Sequence, residues 1–104
     1  MIKNFRTYAI AVEFYRLASA LRLPGSLQDQ CRRASSSIAL NLAEGSGRSS
    51  KADQARFFSI AFGSLRECQA ILDLANPDSG IVELADKLAG HLYRLIEHCK
   101  AARR

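Results

Sequence analysis

The sequence has no CxxC pair, and its cysteines, Cys31, Cys68 and Cys99, are odd in number and widely spaced. Structural zinc sites usually draw thiolates from close pairs, so no metal centre of that kind is expected. Each cysteine falls instead on an apolar helical stripe, the pattern of buried free thiols in a reducing cytoplasm. No stretch approaches the ~18 consecutive apolar residues that a membrane-spanning helix requires. The opening Met-Ile-Lys-Asn-Phe-Arg has neither a long apolar region nor a cleavage signal, so the expectation is a cytoplasmic protein without a membrane role. Strand-like alternation of apolar and polar residues is also missing, which argues against a sheet.

The chain has 104 residues, enough for one domain over residues 1–104. Hydrophobic residues make up 48% of it, an ordinary share for a globular fold. Fifteen basic residues against ten acidic ones give a net charge of +5 and a pI near 9.5. Such a balance suits a nucleic-acid partner, and it equally suits a solvated basic surface.

The two prolines and a few glycine clusters divide the chain. "LPGS" at residues 23–26, "GSGRSS" at 45–50 and "NPDSG" at 76–80 read as turns, because proline and glycine interrupt helices and the polar residues cap the next one. Helices are predicted at about residues 3–22, 26–44, 50–75 and 80–101. Leu27, Cys31, Ala34, Ile38 and Leu42 share one face of the second. Phe57, Ala61, Ser64, Cys68, Ile71 and Ala75 do so on the third, and Ile81, Leu84, Leu88, Leu92, Leu95 and Cys99 on the fourth. All follow the 3.6-residue repeat. The first helix carries two stripes, Phe5–Ala9–Val12 and Ile10–Phe14–Leu17–Leu21. Ser50 with Asp53 resembles a capping box with a shortened acid. Long helices joined by short turns predict an all-α, antiparallel up-down-up-down four-helix bundle.

Additional apolar positions lie beside these stripes: Ser36, Ala39, Leu40 and Ala43 on the second helix, and Phe58, Phe62 and Leu65 on the third. Helices that are apolar on more than one face are usually buried twice, which predicts self-association.

Several polar constellations invite a chemical reading. Arg33, Ser37, Asn41 and Glu44 fall within about 80° on a helical wheel, with Arg66 and Glu67 of the third helix placed to meet them. Partly buried polar groups must be paired, so a network between helices or subunits is expected. The alternative, Glu44 as an acid or base and Arg33 as an anion ligand, lacks a neighbouring histidine or second carboxylate. "GSGRSSK" does not have the GxxxxGK[ST] spacing of a phosphate-binding loop and follows a helix, not a strand. It does leave Arg48 and Lys51 near a helix start.

His91 sits in the apolar stripe of the fourth helix and His98 at its edge. No Glu-x-x-His pair supplies inward carboxylates, so neither reads as a metal ligand. Arg94 and His98 fall one residue short of the arginine-to-histidine spacing of some helical ribonucleases. No catalytic residue and no cofactor is therefore assigned.

Basic residues cluster at Arg32–Arg33, at Arg48, Lys51 and Arg56, and at Lys100, Arg103 and Arg104. Of these, Arg32, Arg48, Lys51, Arg56, Arg103 and Arg104 are the candidate nucleic-acid contacts. No aromatic–basic interleaving suggests base stacking. Binding would be driven by phosphate, tolerant of sequence and sensitive to salt, and a ring would strengthen it by avidity.

The stretch "QCRRASSSIALNLAEGSGRSS", followed by "RFFSIAFGSLRE", resembles the family of 23S rRNA intervening-sequence proteins, which includes the Avd accessory proteins of diversity-generating retroelements. The likeness runs from Pro24 and Leu27 to about residue 75. It is carried by Arg33, Ser37, Asn41, Glu44, Gly45, Gly47 and Arg48, and by Arg56, Phe57, Gly63, Ser64 and Glu67. It implies a four-helix bundle that assembles as a cyclic homopentamer and has no enzymatic activity. In its retroelement branch it implies RNA or DNA and a reverse transcriptase as partners, met through a basic surface. Arg33, Ser37, Asn41, Glu44 and Glu67 would then be structural or inter-subunit residues. The expectation is a non-enzymatic, nucleic-acid-binding oligomer, accessory to a reverse transcriptase or to an rRNA-associated element. The alternative is a protein–protein scaffold without a nucleic-acid role.

Overall fold

The computed structural model describes residues 5–102 and consists, over that span, of four α-helices with no strand. These are α1 (Arg6–Ala20), α2 (Leu27–Ser46), α3 (Lys51–Ala75) and α4 (Ile81–Ala102). Each packs against its neighbours in sequence, and α1 also packs against α4, so the four close around one core as a four-helix bundle. No described helix is long and apolar enough to cross a membrane.

Local chemistry sets the breaks. Leu21 turns extended with ψ 154°, ending α1 three residues before Pro24. Gly25 takes φ +57°, which a side chain would resist. Gln28 ties this turn down, accepting from the Leu23 amide at 3.0 Å and donating to the Ala18 carbonyl at 3.4 Å. Asn76 closes α3 in the left-handed conformation, its amide reaching the Leu72 carbonyl at 2.7 Å, and Pro77 prevents continuation.

At the start of α3 only half of the capping box forms. Ser50 Oγ accepts from the Asp53 amide at 3.0 Å. The Asp53 carboxylate does not reach back. It pairs with Arg56 at 3.0 Å and lies 3.7 Å from Arg48. Aspartate is one methylene shorter than the glutamate a reciprocal cap prefers.

Helix α2 continues past Glu44 to Ser46 because Gly45 is itself buried against α3. A Cβ at Gly45 would stand 2.6 Å from Phe58 Cε1 and 3.0 Å from Phe57 Cβ. Here glycine allows the close approach of two helices, and does not break one.

The core contains Phe14 of α1, Ile38 and Leu42 of α2, Leu65 of α3, and Leu88 and Leu92 of α4, all fully buried. Burying each such side chain contributes about 1.5–3 kcal/mol. On α3 the inward stripe differs from the predicted one. Ala61, Cys68 and Ile71 of that stripe are buried, joined by Phe58, Leu65 and Leu72, whereas Phe57, Ser64 and Ala75 are only partly covered. Two apolar rows lie one residue apart there, and the helix is rotated so that its inward face draws on both, with Phe58 and Leu65 taking the places expected of Phe57 and Ser64.

Phe58 and Leu65 therefore belong to the bundle's own core. Less apolar surface remains on α3 than the sequence suggested. On α1, Ile10, Ala11, Phe14 and Ala18 turn inward and Leu17 remains exposed. Phe5 packs its ring 6.1 Å from that of Phe58, bridging α1 and α3 at one end.

All three cysteines are buried and free. Cys31 and Cys68 are neighbours between α2 and α3 and influence each other's ionisation. The adjacent Cys31 thiol and burial push the Cys68 thiol well above its ordinary value, so it stays protonated and inert.

Candidate functional site

The seam between α2 and α3 carries most of the polar stripe. Ser37 and Ser64 lie Oγ to Oγ at 2.9 Å. Asn41 donates to the Ser37 hydroxyl at 3.1 Å and to the Ser37 carbonyl at 2.9 Å. These three part-buried groups satisfy one another, which is what a half-covered seam demands.

The stripe does not continue as one network. Glu44 turns to Arg48, one helical turn on, at 2.8 Å. Arg33 and Glu67 are exposed, and their side chains make no hydrogen bond or ion pair among the described residues. Arg66 points elsewhere, stacking its guanidinium 4.7 Å from the Phe62 ring centroid and donating to Gln69 at 2.7 Å.

The α2–α3 turn gathers three of the candidate contacts. The guanidinium groups of Arg48 and Arg56 lie over the ring of Phe57, at 4.6 and 4.3 Å from its centroid. A ring that attracts cations through its quadrupole holds both arginines close to the surface. Both also touch Asp53, and Arg48 touches Glu44 as well. Phe57, read from sequence as core, is instead the platform of this cluster. Lys51 is exposed beside it. Arg32 lies 4.0 Å from Asp29 and donates to the Ser19 carbonyl at 3.4 Å. Arg103 and Arg104 lie outside the described residues, and Lys100 pairs with Glu97 at 3.6 Å. Most of the arginines expected to meet a ligand are thus already engaged with carboxylates of the chain.

A second basic cluster escaped the sequence reading. Lys87, His91 and Arg94 follow spacings of four and three along α4, which puts them on one face. Arg6 joins them from α1, across the α1–α4 seam. His91 is partly covered, not a core residue as expected, while His98 is exposed. Desolvation, followed by the charges of Arg94, Arg6 and Lys87, depresses the His91 pKa below its ordinary 6.5. No ion pair joins Arg6, Lys87 or Arg94 to a carboxylate among the described residues. The spacing on α4 was visible in the sequence; the contribution of Arg6 required the fold.

Among the described residues no group of three or more histidines, cysteines or carboxylates could hold a metal ion. The helices and their charged seams define the class as a four-helix-bundle protein with basic surface clusters. The chain belongs to the family of 23S rRNA-intervening sequence proteins, whose family model matches residues 6–102. That span takes in all four helices, including α1 and α4, beyond the central stretch that carries the resemblance. A search of curated proteins found no match.

Proposed function

We infer that this protein is a non-enzymatic homo-oligomer that binds RNA or DNA through a basic surface. The observation that carries the reading is membership, over residues 6–102, of a family named for the 23S rRNA intervening sequence. The net charge of +5 agrees with it. Its partner would be an rRNA-associated element or, if the chain falls in the Avd branch, a reverse transcriptase. Its place would be the cytoplasm.

The bundle is read as antiparallel, up-down-up-down. In support, Ser37 meets Ser64 while Gly45, further along α2, abuts Phe57 and Phe58, earlier on α3. Assembly is read as a cyclic homopentamer. Leu40, 68% exposed on α2, lines a shallow surface groove with Ala43, Glu44, Gly47 and Arg48 and supplies an apolar contact for a second copy. The Ser37–Asn41–Ser64 cluster and Glu44 are read as structural supports of that surface.

Titrating a labelled RNA or DNA with the protein at low and high salt tests the binding. Affinity should fall steeply as salt rises, because bound phosphates release counterions. No binding at low salt would sink the reading. Light scattering tests the ring, and a monodisperse monomer at micromolar concentration would contradict it. A second reading, a protein scaffold with incidental charge, rests on the same exposed Leu40. It predicts an assembly that persists at high salt and no nucleic-acid binding at any salt.

A further inference from the structure

We propose that the α1–α4 seam formed by Arg6, Lys87, His91 and Arg94 is a binding site for the phosphodiester backbone of RNA, and that His91 takes up a proton as the backbone binds. The proposal rests on the nucleic-acid reading above and assigns it to a specific surface.

Three observations carry it. First, Lys87, His91 and Arg94 share one face of α4, and that face borders α1, which contributes Arg6. Second, the cations are exposed and not ion-paired among the described residues, in contrast to Arg32, Arg48 and Arg56, which have carboxylate partners. An unpaired cation gives up no internal partner when it meets a phosphate, so it contributes its full counterion release. Third, Gly90 leaves the helix surface bare beneath Arg94, whose Nη1 lies 3.4 Å from where a Cβ would stand. The guanidinium therefore rests against α4 one turn back, over Gly90, with its donors available to a phosphate oxygen.

The charges acting on His91 are all positive: Arg94 and Lys87 from α4 and Arg6 from α1, with none from α3. Glu13 and Glu83 line the adjoining groove with Lys87 and mark the acidic border of the patch. An imidazole surrounded by cations is neutral at pH 7. A phosphodiester placed among those cations cancels their repulsion and favours the imidazolium. Binding then draws one proton from solvent to the His91 ring, and the affinity rises as the pH falls.

The test is fluorescence anisotropy with a short labelled RNA and the full chain at low salt, at about pH 7.5 and about pH 5.8, bracketing an ordinary histidine. Circular dichroism verifies that each variant is folded. The double variant R6E/R94E should lose at least ~10-fold in affinity, and its salt dependence should drop by about two phosphate contacts. The wild type should bind several-fold more tightly at the lower pH, and His91→Gln should remove most of that gain. Adding RNA should raise the pKa of the His91 ring, followed by NMR. Should R6E/R94E unfold, Lys87→Gln and Arg94→Gln singly provide the same comparison. Wild-type affinity in R6E/R94E, with binding abolished in R48E/R56E, would overturn this site and leave the nucleic-acid reading standing. An affinity independent of pH would overturn the role of His91. Failure of the wild type to bind RNA at low salt would sink both.

Discussion

Ser37 on α2 and Ser64 on α3 hold their hydroxyl oxygens 2.9 Å apart across the seam, and Asn41 donates to Ser37 from one turn further along. Each side chain is partly buried, so losing one partner leaves another unsatisfied. Ser37→Ala and Ser64→Ala should each cost about 1 kcal/mol, with a coupling of about 0.5–1.5 kcal/mol in a double-mutant cycle followed by urea unfolding. Additive losses would show that water replaces either hydroxyl.

Gly45 is the tightest contact between these helices. Alanine is intrinsically the better helix former by about 1 kcal/mol. The added methyl, however, would meet the Phe58 ring at 2.6 Å and Phe57 Cβ at 3.0 Å, and the Phe58 ring is buried in the core. Gly45→Ala should therefore destabilise by about 1–3 kcal/mol. A lower thermal midpoint at fixed protein concentration is the expected readout; a higher midpoint would mean that α2 and α3 slide apart freely.

Neighbouring phenylalanines on α3 should behave differently. Phe58 is 3% exposed and faces the core, and Phe58→Ala should cost about 3–5 kcal/mol. Phe57 supports two guanidinium groups at the surface, and Phe57→Ala should cost clearly less while loosening Arg48 and Arg56. Denaturant titration of both variants checks the order; the reverse order would contradict the phase of α3.

His91 gives a pH signature in the absence of ligand. Its folded-state pKa lies below the ordinary value of 6.5, so the unfolded chain binds its proton more readily. The contribution is present above about pH 6.5 and is lost as the pH falls toward the depressed value. Thermal midpoints should consequently decline more steeply below pH 6.5 in the wild type than in His91→Gln. Parallel declines would show that His91 does not sense the surrounding cations.

The turns were legible because Pro24, Gly25, Asn76 and Pro77 act locally, through fixed or left-handed backbone angles. The inward face of α2 was legible because Cys31, Ala34, Ile38 and Leu42 form one dominant row; on α4, Ile81, Leu88, Leu92 and Cys99 were legible, while Ala85 and Ile96 are buried where Leu84 and Leu95 were expected. The phase of α3 was not, since Phe57–Ser64 and Phe58–Leu65 give nearly equal apolar rows one residue apart. The candidate site divided in the same way. Arg48, Lys51 and Arg56 could be grouped by proximity in sequence, but their pairing with Glu44 and Asp53 required the folded turn. Likewise, His91 read as core because a wheel cannot show that α1 leaves that edge of α4 partly open.

By itself the sequence determined an all-helical chain, the position of its turns, its family and its positive charge, because backbone propensity, capping and net charge are properties of local composition. Tertiary structure alone decided how α3 is rotated toward the core, which arginines are neutralised by carboxylates, and that Arg6 joins Lys87, His91 and Arg94. Those are distances between residues on different helices, and Coulomb and packing forces respond to distance in space, not along the chain.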